Sequence, residues 1–446
     1  MFIVYIITKV TILSALYENW NDLSNWNPEI SATGGGNNEF QVYGLHHENI
    51  KITENTLKIK PSFVEGDLRR DLDLFAEGCT NNWNHGCFNS GSMHWNRGSL
   101  HWINSTPIPV GGFRNKPFRS VKLISKSSFG YGKLDIKFKL PRGNFLWPAI
   151  WMLPEEKYPW PTGGEIDLME SMGNNPDSIY SLNYKTVSAA LHYGDKSKSL
   201  YNTNYSPFLE KILNKSFNRS NLSSDWHIST LIRSKENLII KIDDNEILNC
   251  DTMFREVAKL MPDDNVYKKN IMNMGYMAGF RNYSLMLGIK LPDYLYKDLQ
   301  YDAPFHGKFK LIINLAVGGE FFNDALNINI NINSNNSNSN SNSNSNSNID
   351  KYWNEFDNNL VAGSQFIKNM NKWYNWGESD AVNTSALVYN KNNCLLHWKK
   401  CIDDNLLCDG YKECYYDNEK HLNFHRPYIS DKTIFEIGFI NFTPYT

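Results

Sequence analysis

The stretch from Leu146 to Ser171, LWPAIWMLPEEKYPWPTGGEIDLMES, constrains this chain most. It sets three carboxylates within six residues, Glu165, Asp167 and Glu170, among the apolar Ile166, Leu168 and Met169. Side chains of a β-strand alternate between faces, so Glu165 and Asp167 share one face while Ile166 and Leu168 take the other. Strict alternation would turn Glu170 away from Glu165. One extra residue, a β-bulge around Leu168-Met169, returns it to the same face. The glutamate Cα atoms would then lie roughly 13 Å apart at about 3.3 Å per residue, and long side chains on a curved sheet can lean together.

Like charges crowded into a partly dry site raise one another's pKa. Such clusters are tolerated mainly where they carry charge, metal or chemistry. Retaining glycosidases need two carboxyl groups about 5–5.5 Å apart, one a nucleophile and the other an acid/base. Asp167, between the glutamates, would tune their protonation by charge and hydrogen bonding. A solvated acidic strand is the plain alternative, and it fits poorly because apolar residues alternate with all three acids. The cluster therefore reads as a sugar-cleaving site.

The rest of the chain is β-rich. Leu57-Lys-Ile59 and Asp71-Leu-Asp73-Leu-Phe75 alternate like half-buried strands, and 121–140 reads as two strands around Gly130-Tyr-Gly132. Further strands are expected at 188–193, at 226–232, at 237–242 (ending in the Asp243-Asp244 turn) and over 433–442. Phe309 to Val317 is nearly continuous in apolar residues and is expected to be buried on both faces. Residues 78–118 form a loop too long for a plain connector, and it is expected to border a cleft. Many strands, few helices and frequent Gly, Pro and Asn turns point to a single all-β sandwich domain over 17–446. Within it, about 324–350 is an Asn/Ser-rich insertion, reading SNNSNSNSNSNSNSN at 334–348, which is expected to be disordered.

Composition excludes some partners. The chain carries 45 basic and 47 acidic side chains, so no polyanion footprint exists and nucleic acid is not a partner. With 13 Trp and 24 Tyr it has flat platforms for sugar rings to spare beyond those that fill a β core. Residues 1–16 read as a truncated signal peptide, with a first β-strand as the alternative, and are too short to span a bilayer. No other stretch reads as a membrane span. Cys79 and Cys87 are spaced for a local disulfide, and Cys394, Cys401, Cys408 and Cys414 make a Cys-rich segment at about 390–416. The odd seventh thiol falls to Cys250. Sequons at Asn104, Asn204, Asn214, Asn218, Asn221, Asn282, Asn383 and Asn441 also suit secretion, although an asparagine-rich chain makes them by chance.

The quoted residues resemble glycoside hydrolase family 16, in its laminarinase-like branch of β-1,3-glucanases. LPRGNFLWPAIWMLP followed by GGEIDLMES carries the resemblance most strongly. ISATGGGNNEFQVY at 30–43, CTNNWNHGC at 79–87, FGYGKLDIKFKLPRG at 129–143, LHYG at 191–194 and INLAVGG at 313–319 follow in the family's order. The resemblance implies a concanavalin A-like jelly-roll β-sandwich with a concave cleft, acting as a monomer on internal bonds of a β-glucan with retention of configuration. It makes Glu165 the nucleophile, Asp167 its assisting residue and Glu170 the acid/base. Trp147 and Trp151 would line the cleft, His192 would stand beside the active site, and Asn37 would make a polar contact to the glucan.

No cofactor or catalytic metal is implied, and the family's structural calcium is put in doubt by two departures in this chain. Gly438 stands where the family commonly has the calcium-binding aspartate, and Arg233 stands where it has a tryptophan. Glucan recognition without cleavage and glucan transglycosylation are the two rival functions.

Overall fold

The computed structural model describes residues 16–63 (except 36, 38 and 40), 73–87 (except 84 and 85), 102–103, 106–107, 116–174 (except 117 and 144), 182–194, 211–213, 222–286, 302–318, 321, 375–376 and 428–445 (except 430). The expected leader up to residue 15, the Asn/Ser-rich insertion and the Cys-rich segment lie outside the described residues. Leu16, assigned to the leader, opens a strand that pairs with the last strand of the chain.

Two antiparallel sheets face each other. The site-bearing sheet runs, in spatial order, Lys211–Leu213, Val187–His192, Glu165–Glu170, Leu146–Pro154, Phe309–Val317, Lys122–Phe129 and Trp26–Pro28. The back sheet runs Asn245–Asn249, Leu238–Ile242, His227–Arg233, Gly132–Lys139, Phe435–Pro444, Thr56–Ile59 and Ile50–Thr53, with Leu16–Asn19 on the Phe435–Pro444 strand. The chain leaves the site-bearing sheet after Phe129, crosses to the back sheet and returns at Leu146. This is the jelly-roll sandwich.

Alternation builds the core between them. Leu134, Ile136 and Phe138 point inward while Lys133, Asp135 and Lys137 point outward. They join Leu231, Ile240 and Ile242 of the back sheet and meet Leu123, Ile150, Met152, Ile166, Leu311 and Ile313 of the other sheet in one apolar cluster. Fully burying each such side chain contributes about 1.5–3 kcal/mol. The strand Phe309–Val317 is covered on its second face as well, where Ile312, Asn314 and Ala316 are all buried.

The sequence reading fails at one expected strand. Asp73 accepts a hydrogen bond from the Phe75 amide at 3.0 Å, which starts a turn where alternation had indicated a strand. It also assigned no helix to 250–286, where three occur: Cys250–Lys259, Val266–Met274 and Tyr276–Met286. Their signals are local. Asn249 caps the first by accepting from the Thr252 amide, and Cys250, Phe254 and Ala258 bury one stripe of it. Asn265 caps the second. Phe280 of the third meets the Tyr193 ring edge-on at 5.0 Å, so the helices brace the end of the strand that carries His192.

The two departures from the family have structural consequences. Arg233 is 1 % exposed and donates to the carbonyls of Phe305 (2.7 Å), Gly307 (2.8 Å) and Phe129 (2.8 Å), with its guanidinium over the Tyr131 and Phe309 rings. Gly438 lies under Lys137: a Cβ there would come within 2.9 Å of Lys137 Cδ, and the Lys137 ammonium sits 4.8 Å from the Trp226 ring centroid. Gly438 thus offers no side-chain ligand of its own, and an ammonium group lies over it. We expect the melting temperature to stay the same in excess EDTA and in millimolar calcium; a rise of several degrees with calcium would contradict this reading.

Candidate active site

The three acids reach one face because the strand Glu165–Glu170 is bulged. Against the strand on one side, Trp151 pairs with Asp167 and Ile150 with Met169, which leaves Leu168 as the extra residue. On the other side, Asp167 stands opposite Ala190 and Glu170 opposite Ser188, again with one residue gained. Leu168 and Met169 both turn into the core, each fully buried. The Leu168 carbonyl, which the bulge disturbs, accepts from Ser229 Oγ of the back sheet at 3.2 Å. The expected bulge is therefore present at the expected place.

Neighbouring strands complete the floor. His192 is opposite Glu165, Ala149 lies between Glu170 and Asn314, and Lys122 stands beyond Asn314. The two glutamates each accept from an indole, and Asp167 is paired with an imidazole. Trp147 Nε1 donates to Glu170 Oε1 at 2.9 Å, and Trp160 Nε1 donates to Glu165 Oε2 at 3.0 Å. His192 Nε2 is 2.8 Å from Asp167 Oδ2 and 3.7 Å from Glu165 Oε1. Burial, then the Asp167 charge, push the Glu165 carboxyl up to about 8, against the opposing pull of His192, Trp160 and Lys122. Ligand atoms of Glu165, Asp167 and His192 all lie within 4.8 Å of one another. The same spacing would let them hold a metal ion or share a proton.

The expected binding residues are placed unequally. Trp147 touches the site through its indole edge, while one face of its ring is stacked on Phe321 at 3.9 Å. Trp151 is half-buried on the cleft face, with Nε1 donating to Asn314 Oδ1 at 2.6 Å. Asn37 is half-buried in a turn whose base is closed by the Glu39 amide on the Gly34 carbonyl at 3.0 Å. That turn bends where Gly34 and Gly35 take φ of +73° and +56°.

The expected Cys79–Cys87 disulfide is formed, with Cα atoms 5.6 Å apart. Its loop is stitched to the approach of the glycine turn by Ala32 N to Gly86 O (2.7 Å) and Thr80 N to Ile30 O (3.0 Å). Cys250 is a buried free thiol. Asn282 is buried and donates to the Ala278 carbonyl, so its sequon cannot carry a glycan in this fold.

Sequence reasoning missed Trp160, which is 44 % exposed and in contact with Glu165. The Trp-Pro-x-Gly-Gly run just before the acids was its available signal, because it forces a tight turn next to the strand. Asn314 and Tyr43 were also missed, since each lies in an apolar-looking strand far from the motif.

A family profile described as "XgeA-like, catalytic GH16 domain" matches residues 105–221. The "Beta-1,3-glucan-binding protein" of Penaeus monodon is 33% identical over 331 residues, covering 69% of this chain and 75% of that protein. The chain belongs to glycoside hydrolase family 16. A second relative, the "Glucan endo-1,3-beta-glucosidase" of Cryptopygus antarcticus, is 27% identical over 212 residues, covering 47% of this chain and 58% of that protein. Among solved structures, the laminarinase from Rhodothermus marinus matches with a TM-score of 0.39 at 20% identity, over 67% of this chain and 81% of that one.

Glu165 also predicts a pH dependence of stability. Its pKa is raised in the fold, so the native state holds this proton more tightly than the unfolded chain. Its contribution to stability is then fully present below the ordinary carboxyl range and is lost as pH climbs toward about 8. Glu165→Gln should flatten that slope, by at most about 1.4 kcal/mol per pH unit for one group. Calorimetric melting at pH 5 and pH 8 reads this directly, and parallel slopes for wild type and variant would refute it.

Proposed function

We propose that this family 16 chain is an endo-acting, retaining β-1,3-glucanase that cleaves laminarin-like glucans by double displacement. The observation that carries the reading is the bulge that turns Glu165, Asp167 and Glu170 to one face, the two glutamates held by indole donors and Asp167 paired with His192. Glu170, protonated, gives its proton to the leaving glycosidic oxygen while Glu165 attacks the anomeric carbon. Glu170, now a carboxylate, takes a proton from water, which releases the sugar from Glu165.

Trp147 holds the Glu170 carboxyl in place for both steps. Burial, the Asp167 charge and His192 together set when Glu165 is ionised. The printed name of the Cryptopygus antarcticus relative supports the choice of bond. A disulfide beside the site suits an oxidising, extracellular setting, so we propose secretion as well.

A second reading, glucan recognition without turnover, is favoured by the name of the Penaeus monodon relative. Reducing-end release from laminarin separates the two. Wild type should release short oligosaccharides, and Glu165→Gln should lose at least about 10³-fold in kcat, as expected for removal of an attacking group. Binding of laminarin with no release by wild type would reject hydrolysis in favour of recognition.

The pH profile tests the roles. The nucleophile must be ionised, so kcat/KM should rise with pH along a limb set by Glu165. Asp167→Asn removes the neighbouring charge that raises Glu165 and should move that limb to lower pH. A limb that stayed in place, or moved up, would dissociate Asp167 from the ionisation of Glu165.

A further inference from the structure

Trp151 is held by a chain of hydrogen bonds that the reaction itself does not require. Its Nε1 donates to Asn314 Oδ1 at 2.6 Å, and Asn314 Nδ2 donates to the Tyr43 hydroxyl at 3.1 Å. That hydroxyl donates onward to Glu39 Oε2 at 3.4 Å, which also accepts from Gln41 Nε2 at 2.6 Å. Gln41 Oε1 in turn accepts from the Val317 amide at 2.8 Å. Asn314, Tyr43, Glu39 and Gln41 are all buried.

The chain has a fixed direction. An indole nitrogen can only donate, and Glu39 Oε2 takes both of its hydrogen bonds as acceptor. The amide between them must therefore present its oxygen to Trp151 and its nitrogen to Tyr43. Turned over, its NH₂ would face the indole N–H and its oxygen would face a hydroxyl already committed to Glu39. Asparagine offers both groups at this reach. Leucine, of similar size, offers neither, and aspartate offers only the acceptor.

The two ends of the chain matter to the site. Trp151 stands opposite Asp167 on the cleft face, and the Lys122 ammonium lies 5.2 Å from the Trp151 ring centroid and 5.9 Å from that of Tyr43. Lys122 is itself fixed by Glu29 at 2.9 Å. At the other end, Glu39 closes the glycine turn that carries Asn37, and Lys116 Nζ donates to its carbonyl at 2.5 Å.

We propose that Asn314 is a positioning residue for glucan binding. It fixes the indole of Trp151 against the cleft floor and links it, through Tyr43 and Glu39, to the turn bearing Asn37. The inference rests on the glucanase reading above and on the expectation that Trp151 lines the glucan cleft. It adds that two binding elements from distant parts of the chain are set by one amide and act as a unit. Asn314 touches none of the three acids through the hydrogen bonds described here, so its loss should weaken binding more than it slows chemistry.

The test uses the full chain with laminarin as the probe. Asn314→Leu should raise KM about tenfold while kcat stays within about threefold, the scale of one hydrogen bond lost from a binding contact. Tyr43→Phe leaves Trp151 its acceptor but cuts the link to Glu39, and it should raise KM about threefold. Because both residues lie in one chain, the double variant should be no worse than Asn314→Leu alone.

An unchanged KM with only a lowered melting temperature would make Asn314 merely structural and overturn the proposal. So would single effects that multiply in the double variant. If Asn314→Leu does not fold, Tyr43→Phe decides by the same KM criterion. If wild type binds laminarin without cleaving it, hydrolysis fails while this inference survives or falls on the same ratios measured as Kd. If wild type neither cleaves nor binds laminarin, both are overturned.

Discussion

One residue of excess length in the strand Glu165–Glu170 supports the whole candidate site. Without it Glu170 would face the core, where an ionised carboxylate unpaired with any cation is strongly disfavoured. The bulge is stabilised from behind. Leu168 and Met169 sit side by side in the apolar interior, and Ser229 of the opposite sheet takes up the Leu168 carbonyl. The acids are thus aimed by contacts on the face away from solvent. The site is set by the packing of the sandwich, and the cleft side only has to tune it.

Three separate supports then hold the cleft side. The disulfide loop is stitched to the segment that enters the glycine turn. The helices of 250–286 grip Tyr193 and so fix the strand end that bears His192. The amide of Asn314 joins the central tryptophan to the turn. The first and third both bear on the turn with Asn37, the third also on Trp151, and the second on His192. This arrangement fits a fold in which a rigid sheet carries the chemistry and peripheral segments vary the fit to substrate.

Much of this was legible in the sequence, for identifiable reasons. Strands with one wet face announce themselves by alternation, as Lys133 to Leu140 does, and the bulge follows from one break in alternation beside like charges. The Cys79/Cys87 pair is legible from spacing alone. What could not be read depends on long-range partners. Alternation at Asp71 to Phe75 is overridden by an Asp73 side chain that turns its own backbone. The helices are short and two of them are capped by asparagines in a chain full of asparagine, so their caps do not stand out. Asn314 looks like a stray polar residue in a buried strand until Trp151 and Tyr43 are brought to it from positions far away in the chain.

Arg233 ties together stretches of the chain that lie far apart in sequence. Its guanidinium is shared among carbonyls 72, 74 and 104 residues away in the chain, and burial works against its charge. None of these acceptors is useful alone, because a charge moved out of water with one partner is worse off than a solvated one. The arginine is satisfied in the interior only when the strand end at Phe129 and the stretch at 305–307 have both met it. A family position commonly filled by an aromatic ring, which would tolerate gradual docking, is here occupied by a group that penalises every half-closed sandwich. Each of the two acceptor stretches is thereby worth more to the fold when the other is already in place.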